Sequence, residues 1–390
     1  MKNGKLLLAS VGVLLLAGAG CGSQSSDQSN AGANMPATVP AANEPAMVAN
    51  KEPIKIGWLG PLTGDASSLG VDALGAAKIA VGEINTTGGI NGRNLELVAE
   101  DGKCNPKDSA SAGNKLINID KVSVILGGLC SGETTAVVPT AEQNKVIMLS
   151  ACSSAPNITT AGDYIFRTYP SDAYQGKFAA DYIYNKLGKK KVAVLATLGD
   201  WGTGVKNSFV TNFNALGGDV VYQDDFTQDS RDLRTSLTKV KASNAELLYF
   251  VGYTEASNIG LRQAKELGMK LPIFGADGWD DAKIHVNSFA DGIMYTVAAV
   301  GAQGDDWKKK LSDNNVGNTV CAPGSYNNVN IIADIMKRVG TDATAIKDEL
   351  YKVKDYQGVN GSITLDQNGD LATANYDVKI VKNGKSEVVK

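Results

Sequence analysis

A chain of 390 residues, 43% hydrophobic and 20% charged, is longer than one average domain and ordinary in composition for a globular protein. Two lobes are therefore expected, and the compositions of disordered and fibrous chains are excluded. The formal net charge is −3, becoming −5 (36 basic against 41 acidic residues) once Lys2 and Lys5 leave with a leader; no basic run remains to hold a phosphate backbone, which excludes nucleic acid as a partner.

The chain begins with Lys2 and Lys5, an apolar run from Leu6 to Ala19, and Gly20-Cys21. That run is too short to span a bilayer and reads as a signal peptide over residues 1–20. Leu16-Ala-Gly-Ala-Gly-Cys21 resembles a bacterial lipoprotein signal. The resemblance implies acylation of Cys21 and membrane contact through a lipid anchor only; ordinary cleavage, leaving a freely soluble secreted protein, is the alternative. Residues 21–52, rich in Ser, Gln, Asn, Ala and Pro with almost nothing large to bury, read as a flexible tether.

From Ile54 strand-like and helix-like segments alternate. The pattern predicts strands over 54–59, 95–99, 122–126 and 146–149, with helices over 71–84, 108–118 and 133–143. The period restarts with a helix over 174–187, then strands over 192–197, 220–225, 247–251 and 273–276 alternating with helices over 204–216, 231–243 and 257–267. Two such runs of β-α units predict an α/β protein of two doubly wound parallel-sheet lobes, each binding at the carboxyl ends of its strands. A cleft between the lobes follows.

One junction stands out. The β-branched run Val122-Ser-Val-Ile-Leu126 meets Gly127-Gly128, which permit a tight turn, and Ser131 precedes a helix expected to begin near Glu133. The unpaired N–H groups of a first helical turn attract an anion, and a Ser hydroxyl adds a donor. The plainer reading is that Ser131 only caps the helix.

Five stretches carry a more specific signal: Ile54-Lys-Ile-Gly-Trp-Leu-Gly-Pro-Leu-Thr-Gly64, Ala80-Val-Gly-Glu-Ile-Asn-Thr-Thr-Gly-Gly-Ile-Asn-Gly-Arg93, Glu100-Asp-Gly-Lys-Cys-Asn-Pro106, Gly128-Leu-Cys-Ser131 and Phe166-Arg-Thr168. In this order they resemble the landmarks of the periplasmic leucine/isoleucine/valine-binding proteins, from about residue 53 to the C-terminus. The resemblance implies a type I periplasmic binding protein with lobe 1 over 53–172 plus 301–357 and lobe 2 over 173–299 plus 358–390. The first lobe is regained through helices near 326–338 and 343–353. Three crossings, near Tyr169–Asp172, Ala298–Gly301 and Tyr356–Asn360, make the hinge. The implied function is capture of a small neutral amino acid and delivery to the permease of an ABC importer, by a monomer without a cofactor. A sensory receptor of the same fold for amides, urea or small carboxylates is the rival.

The family's ligand contacts fall on named positions. The carboxylate grip maps to Ser131, to Ser154 and to the backbone of Cys152 in the turn Ala151-Cys-Ser-Ser-Ala-Pro156. The ammonium partner maps to Asp277 in Phe274-Gly-Ala-Asp-Gly278, where an isolated Asp-Gly would otherwise be a turn. Leu69, Leu129, Cys130, Trp201, Tyr253 and Cys321 form the walls, against the simpler view of Trp201 and Tyr253 as core aromatics. Leu69 stands where leucine-binding members carry Tyr, and Cys321 where they carry Phe.

With Cys21 set aside, four cysteines allow three pairings in an exported chain. The family pattern implies a Cys104–Cys130 bond. It leaves Cys152 and Cys321 at the cleft edge, either as two buried thiols or as a second bond that would leave room for a side chain bulkier than leucine. No two cysteines form C-x-x-C and His285 is the only histidine, so a metal site has no ligand set. Cys130-Ser131 and Cys152-Ser-Ser154 could look like nucleophiles, but His285 lies in a polar stretch away from them, which speaks against an enzyme. Gly199-Asp-Trp-Gly-Thr-Gly204 is neither G-x-G-x-x-G nor a Walker motif, and reads as a turn into a helix.

Overall fold

The structure, a computed structural model, describes residues 52–299 and 303–389. The expected signal peptide, Cys21 and nearly all of the tether lie outside those residues, as does Gly301. The first run of elements is β1 (Ile54–Gly60), α1 (Ser67–Thr86), β2 (Leu95–Asp101), α2 (Pro106–Asn118), β3 (Val124–Leu126), α3 (Ser131–Asn144), β4 (Ile147–Ser150) and β5 (Ile165–Arg167). These strands form a parallel sheet in the order β2-β1-β3-β4-β5. Their period-two alternation feeds two cores. Ile56, Trp58, Val124, Leu126, Ile147 and Leu149 join the α1 side, whereas Leu59, Ile125 and Met148 pack with Leu116 of α2 and Val137 of α3.

The second run is α4 (Asp172–Asp181), β6 (Lys191–Thr197), α5 (Asp200–Ala215), β7 (Asp219–Phe226), α6 (Arg234–Ala242), β8 (Leu247–Val251), α7 (Thr254–Glu266), β9 (Ile273–Gly275), α8 (Ala282–His285) and β10 (Met294–Ala298). Then follow α9 (Asp305–Asp313), α10 (Ala322–Val339), α11 (Ala343–Leu350), the hairpin β11 (Tyr356–Gly358) and β12 (Gly361–Ile363), and β13 (Tyr376–Lys382) with β14 (Lys385–Val388). The second sheet has the order β14-β13-β10-β9-β8-β6-β7. It is parallel from β7 to β10 and antiparallel at β13 and β14. α10 returns to the first sheet and packs along α1.

Several boundaries differ from expectation for local reasons. α3 starts at Ser131, with Cys130 in the N-cap position, two residues before the predicted Glu133. α5 starts at Asp200 rather than Gly204, because Gly199 at φ +116° turns the chain directly into the helix. α6 starts at Arg234 rather than Arg231, because Gln263 bridges the preceding segment: its Nε2 donates to the Arg231 carbonyl at 3.1 Å and its Oε1 accepts from the Leu233 N–H at 2.7 Å. α10 starts at Ala322 rather than Tyr326, with Pro323 in its first turn, where a missing N–H costs nothing. Arg167 ties the C-terminal segment to β5. Its guanidinium is fully buried and donates to both Asp370 oxygens at 2.7 Å, to the Ala155 carbonyl at 2.9 Å and to Thr159 Oγ1 at 2.8 Å.

Candidate functional site

Both sheets present the carboxyl ends of their parallel strands to one cavity. It is lined by Leu69, Leu129, Cys130, Ser131, Cys152 and Ser154 from the first run and by Trp201, Tyr253, Asp277 and Gly278 from the second, with Val320 and Cys321 just before α10. Every wall and ligand residue named from the sequence therefore meets at one place, although they span 253 positions from Leu69 to Cys321 counted inclusively.

Two turns build the first-lobe side. Gly127, at φ +136°, lies so close to the Leu59 carbonyl that a Cβ there would come within 2.1 Å of its oxygen, so only glycine fits. The Gly128 carbonyl then accepts hydrogen bonds from Ser150 at 2.6 Å, Ser153 at 2.9 Å and Thr134 at 3.2 Å, locking the β3–α3 turn to the β4 turn. Ser131 is not a cap. Its Oγ accepts the backbone N–H groups of Ser154 and Ala155, both at 3.1 Å. With its acceptor capacity filled by those two donors, the hydroxyl proton is what Ser131 can still offer, and its complement is an acceptor such as a carboxylate. Cys152 contributes differently from expectation: its N–H donates to Ser150 Oγ at 3.3 Å, leaving its carbonyl and sulfur rather than a donor.

The second-lobe side is acidic. Asp277, in a single 3₁₀ turn after β9, is buried; its Oδ2 accepts from the Tyr169 hydroxyl at 2.8 Å and its Oδ1 has no partner. Asp172, at the start of α4, is fully buried, and Gln175 one turn on is buried beside Asp277. Burial, and then the charge of Asp277, push the Asp172 carboxyl well above the usual range. Burial also raises Asp277, while the Gln175 amide and the Tyr169 hydroxyl beside it pull it back. The Ser154 hydroxyl and the more distant Arg167 pull Asp172 back, but no cation is bonded to either carboxyl, and the pair is complementary to a ligand ammonium.

Trp201 and Tyr253 stack on each other, ring centroids 4.5 Å apart and tilted by 33°. The Trp201 ring also lies over Gly278, where a Cβ would come within 2.8 Å of it. Both cysteine pairs are bonded, Cys104 to Cys130 and Cys152 to Cys321, each with Cα atoms 5.4 Å apart. The second bond joins the ligand turn to the start of α10. The cavity beside it, which Trp201 and Val320 also line, keeps about 30 Å³ free.

The model of the periplasmic binding protein family matches residues 53–385, most of the chain. The chain belongs to the periplasmic binding protein family. A Leu/Ile/Val-binding protein homologue of Brucella melitensis is 28% identical over 340 residues, 85% of this chain and 92% of that protein. Among solved structures, the branched-chain amino acid transporter substrate-binding protein LivJ of Streptococcus pneumoniae, in complex with isoleucine, superposes with a TM-score of 0.78 at 28% identity, covering 87% of this chain and 99% of that one. A solute-binding protein of an ABC transporter from R. palustris, in complex with benzoate, reaches the same TM-score of 0.78 at 20% identity, over 86% and 95% of the two chains, a likeness of fold. The family resemblance and the type I fold read from the sequence thus hold.

In this periplasmic binding protein the two lobes are tied across the cleft mouth. Arg231 donates to both oxygens of Asp65 at 2.7 and 2.9 Å, Ser68 donates to Asp281, and Thr135 donates to Asp200. Asp281 also accepts from Thr254 at 2.6 Å. Arg231 is well exposed, so its pair is worth little by itself, about 0.2–1 kcal/mol. Arg231→Gln is expected to weaken ligand binding by no more than about fivefold and to flatten its dependence on salt, as read by titration at low and high ionic strength. No helix among the described residues is long and apolar enough to cross a membrane.

His285 ends the short helix α8, buried, with its Nε2 on the Trp279 carbonyl at 2.9 Å and 3.1 Å from the Tyr295 hydroxyl. Burial lowers its pKa. Sequence reasoning passed over Tyr169 and Asp172, which it placed at a hinge crossing, and Glu133, which it treated as the first residue of a helix. For Asp172 the available signal was an acidic residue directly after Ser171 in a first helical turn, which reads equally as a cap.

Proposed function

We propose that this protein captures a small neutral amino acid as its zwitterion in the cleft, outside the cytoplasm, and delivers it to an ABC importer. The observation that carries the reading is the polarity of the cavity. At one end Ser131 has its acceptor capacity filled and a proton to donate, and at the other Asp277 Oδ1 has no partner. An α-carboxylate and an α-ammonium satisfy these ends together. Leu69, Leu129, Val320, the Cys152–Cys321 bond and the Trp201–Tyr253 pair would hold an apolar side chain, and the lining offers no further charge to one. The relatives, one named as a Leu/Ile/Val-binding protein homologue and one as a branched-chain amino acid transporter substrate-binding protein in complex with isoleucine, support the same class.

In this reading lobe 1 comprises 53–172 with 301–357 and the following segment that Asp370 ties to β5, lobe 2 comprises 173–299 with β13 and β14, and the three crossings are the hinge about which the lobes close on the ligand. Acylated Cys21 anchors a monomer, and the closed form is what the permease recognises. A thermal-shift screen of the twenty amino acids with small amides, urea and aromatic acids tests the reading. Neutral amino acids should raise the melting temperature, and a response confined to amides or aromatic acids would overturn it. Copurification with a permease separates import from sensing. Ser131→Ala is expected to weaken binding by about 1–2 kcal/mol, since the α3 N-terminus and Ser154 remain. Calorimetric titration showing unchanged affinity would remove the hydroxyl from the carboxylate grip.

A further inference from the structure

We propose that Glu133 is a positioning residue for the carboxylate end of the cleft: it fixes the turn that presents Ser131 and takes up a proton when an anionic group docks beside that turn. The inference rests on the amino-acid reading above. Glu133 is fully buried, in the first turn of α3. Its Oε2 accepts the N–H groups of Leu129 at 3.0 Å and Cys130 at 2.9 Å, and its Oε1 accepts that of Cys104 at 2.9 Å. One carboxylate therefore holds both halves of the Cys104–Cys130 bond and two residues that line the cavity, immediately before Ser131. The packing is built around it. A Cβ on Gly102 would come within 2.3 Å of Oε1, so glycine there leaves the room that the carboxylate occupies.

The charged neighbours do not neutralise Glu133. On the β2 side, burial opposes ionisation of Asp101, but bonds from Thr63, Leu62 and Lys103 prevail and hold that carboxyl below the usual range. Lys103 pairs instead with Asp108 of α2 at 3.3 Å. Across the cleft stand Asp200, which accepts from Thr135, and Tyr253, whose hydroxyl is pushed up by burial and then by the charge of Glu133. Burial raises Glu133 to about 7, against the pull of its three backbone N–H bonds, with Asp101 adding to the rise. A ligand carboxylate held by Ser131 and Ser154 adds a second like charge and raises it further, so binding draws in a proton. By reciprocity, affinity falls as pH rises through the neutral range. Asp172 and Asp277 face the ammonium, which lowers their pKa values and releases protons on binding, the opposite sign.

The decisive comparison is the pH dependence of Kd for one bound amino acid, leucine or whichever neutral residue the screen selects, in the wild type and in Glu133→Gln. If docking raises Glu133 by about one unit, the wild-type Kd relative to that of the variant rises about fivefold from about pH 6 to about pH 8. Calorimetry in buffers of different ionisation enthalpy should show the wild type taking up more protons than the variant. A flat ratio with equal proton exchange overturns the proposal while leaving amino-acid binding standing; absence of binding by every amino acid overturns the reading beneath it, and the proposal with it. Should Glu133→Gln fail to fold, the side-chain carboxyl of Glu133 is followed by ¹³C resonance in the wild type. A titration near neutrality that moves upward on adding ligand supports the role, and one that the ligand leaves in place overturns it.

Discussion

Asp277→Asn is expected to weaken binding of a neutral amino acid by about 2–4 kcal/mol, roughly thirtyfold or more, because it removes the charged partner of a buried ammonium while keeping the shape of the side chain. Tyr169 can still donate to the amide oxygen, as it now donates to Oδ2 at 2.8 Å. The free protein should not suffer. Asp277 has an unpartnered oxygen and raises the pKa of its buried neighbour Asp172, so neutralising it relieves like-charge repulsion. Calorimetric titration and a thermal melt of the unliganded protein should therefore move in opposite directions, affinity down and melting temperature level or higher. Unchanged affinity would take Asp277 out of the site, and a collapse of stability would make it a structural residue.

Removing the Cys152–Cys321 bond by the double change Cys152→Ser and Cys321→Ser is expected to cost about 5 kcal/mol by the loop-entropy model. The bond spans 169 positions, far more than the 26 of Cys104–Cys130, so it restricts the unfolded chain more. Its native role is also local. It fastens the turn carrying Ser154 to the start of α10, which packs along α1, where Leu69 sits. Urea unfolding of the oxidised wild type and the double variant measures the difference. A loss below about 1 kcal/mol would mean that the unfolded chain gains little freedom from cutting the bond. Alkylation of the nonreduced protein should find no free thiol at Cys152 or Cys321.

Much of this arrangement was legible in the sequence because the signals are local and repeated. Short apolar runs ending in Gly-rich or Ser-rich turns marked β3, β4 and β9, and the sheets then bring those turns together at their carboxyl ends. What the sequence hid depends on three-dimensional partners. Ser131 reads as a cap from its spacing, yet its oxygen is spent on the Ser154 and Ala155 N–H groups, more than twenty positions away. Asp172 reads as a helix start, and only the fold shows it fully buried beside Asp277, whose charge raises it. Trp201 lies over Gly278, a contact between segments that no local pattern encodes.

The most direct measurement of the central claim is calorimetric titration with valine and with the two molecules obtained by deleting one end of it, 3-methylbutanoate without the ammonium and isobutylamine without the carboxylate, alongside benzoate. The account predicts saturable binding of the zwitterion and at least about a hundredfold weaker binding of each truncated ligand, since each leaves a buried polar end of the cleft unpaired. Binding of 3-methylbutanoate or benzoate as tight as that of valine would contradict it.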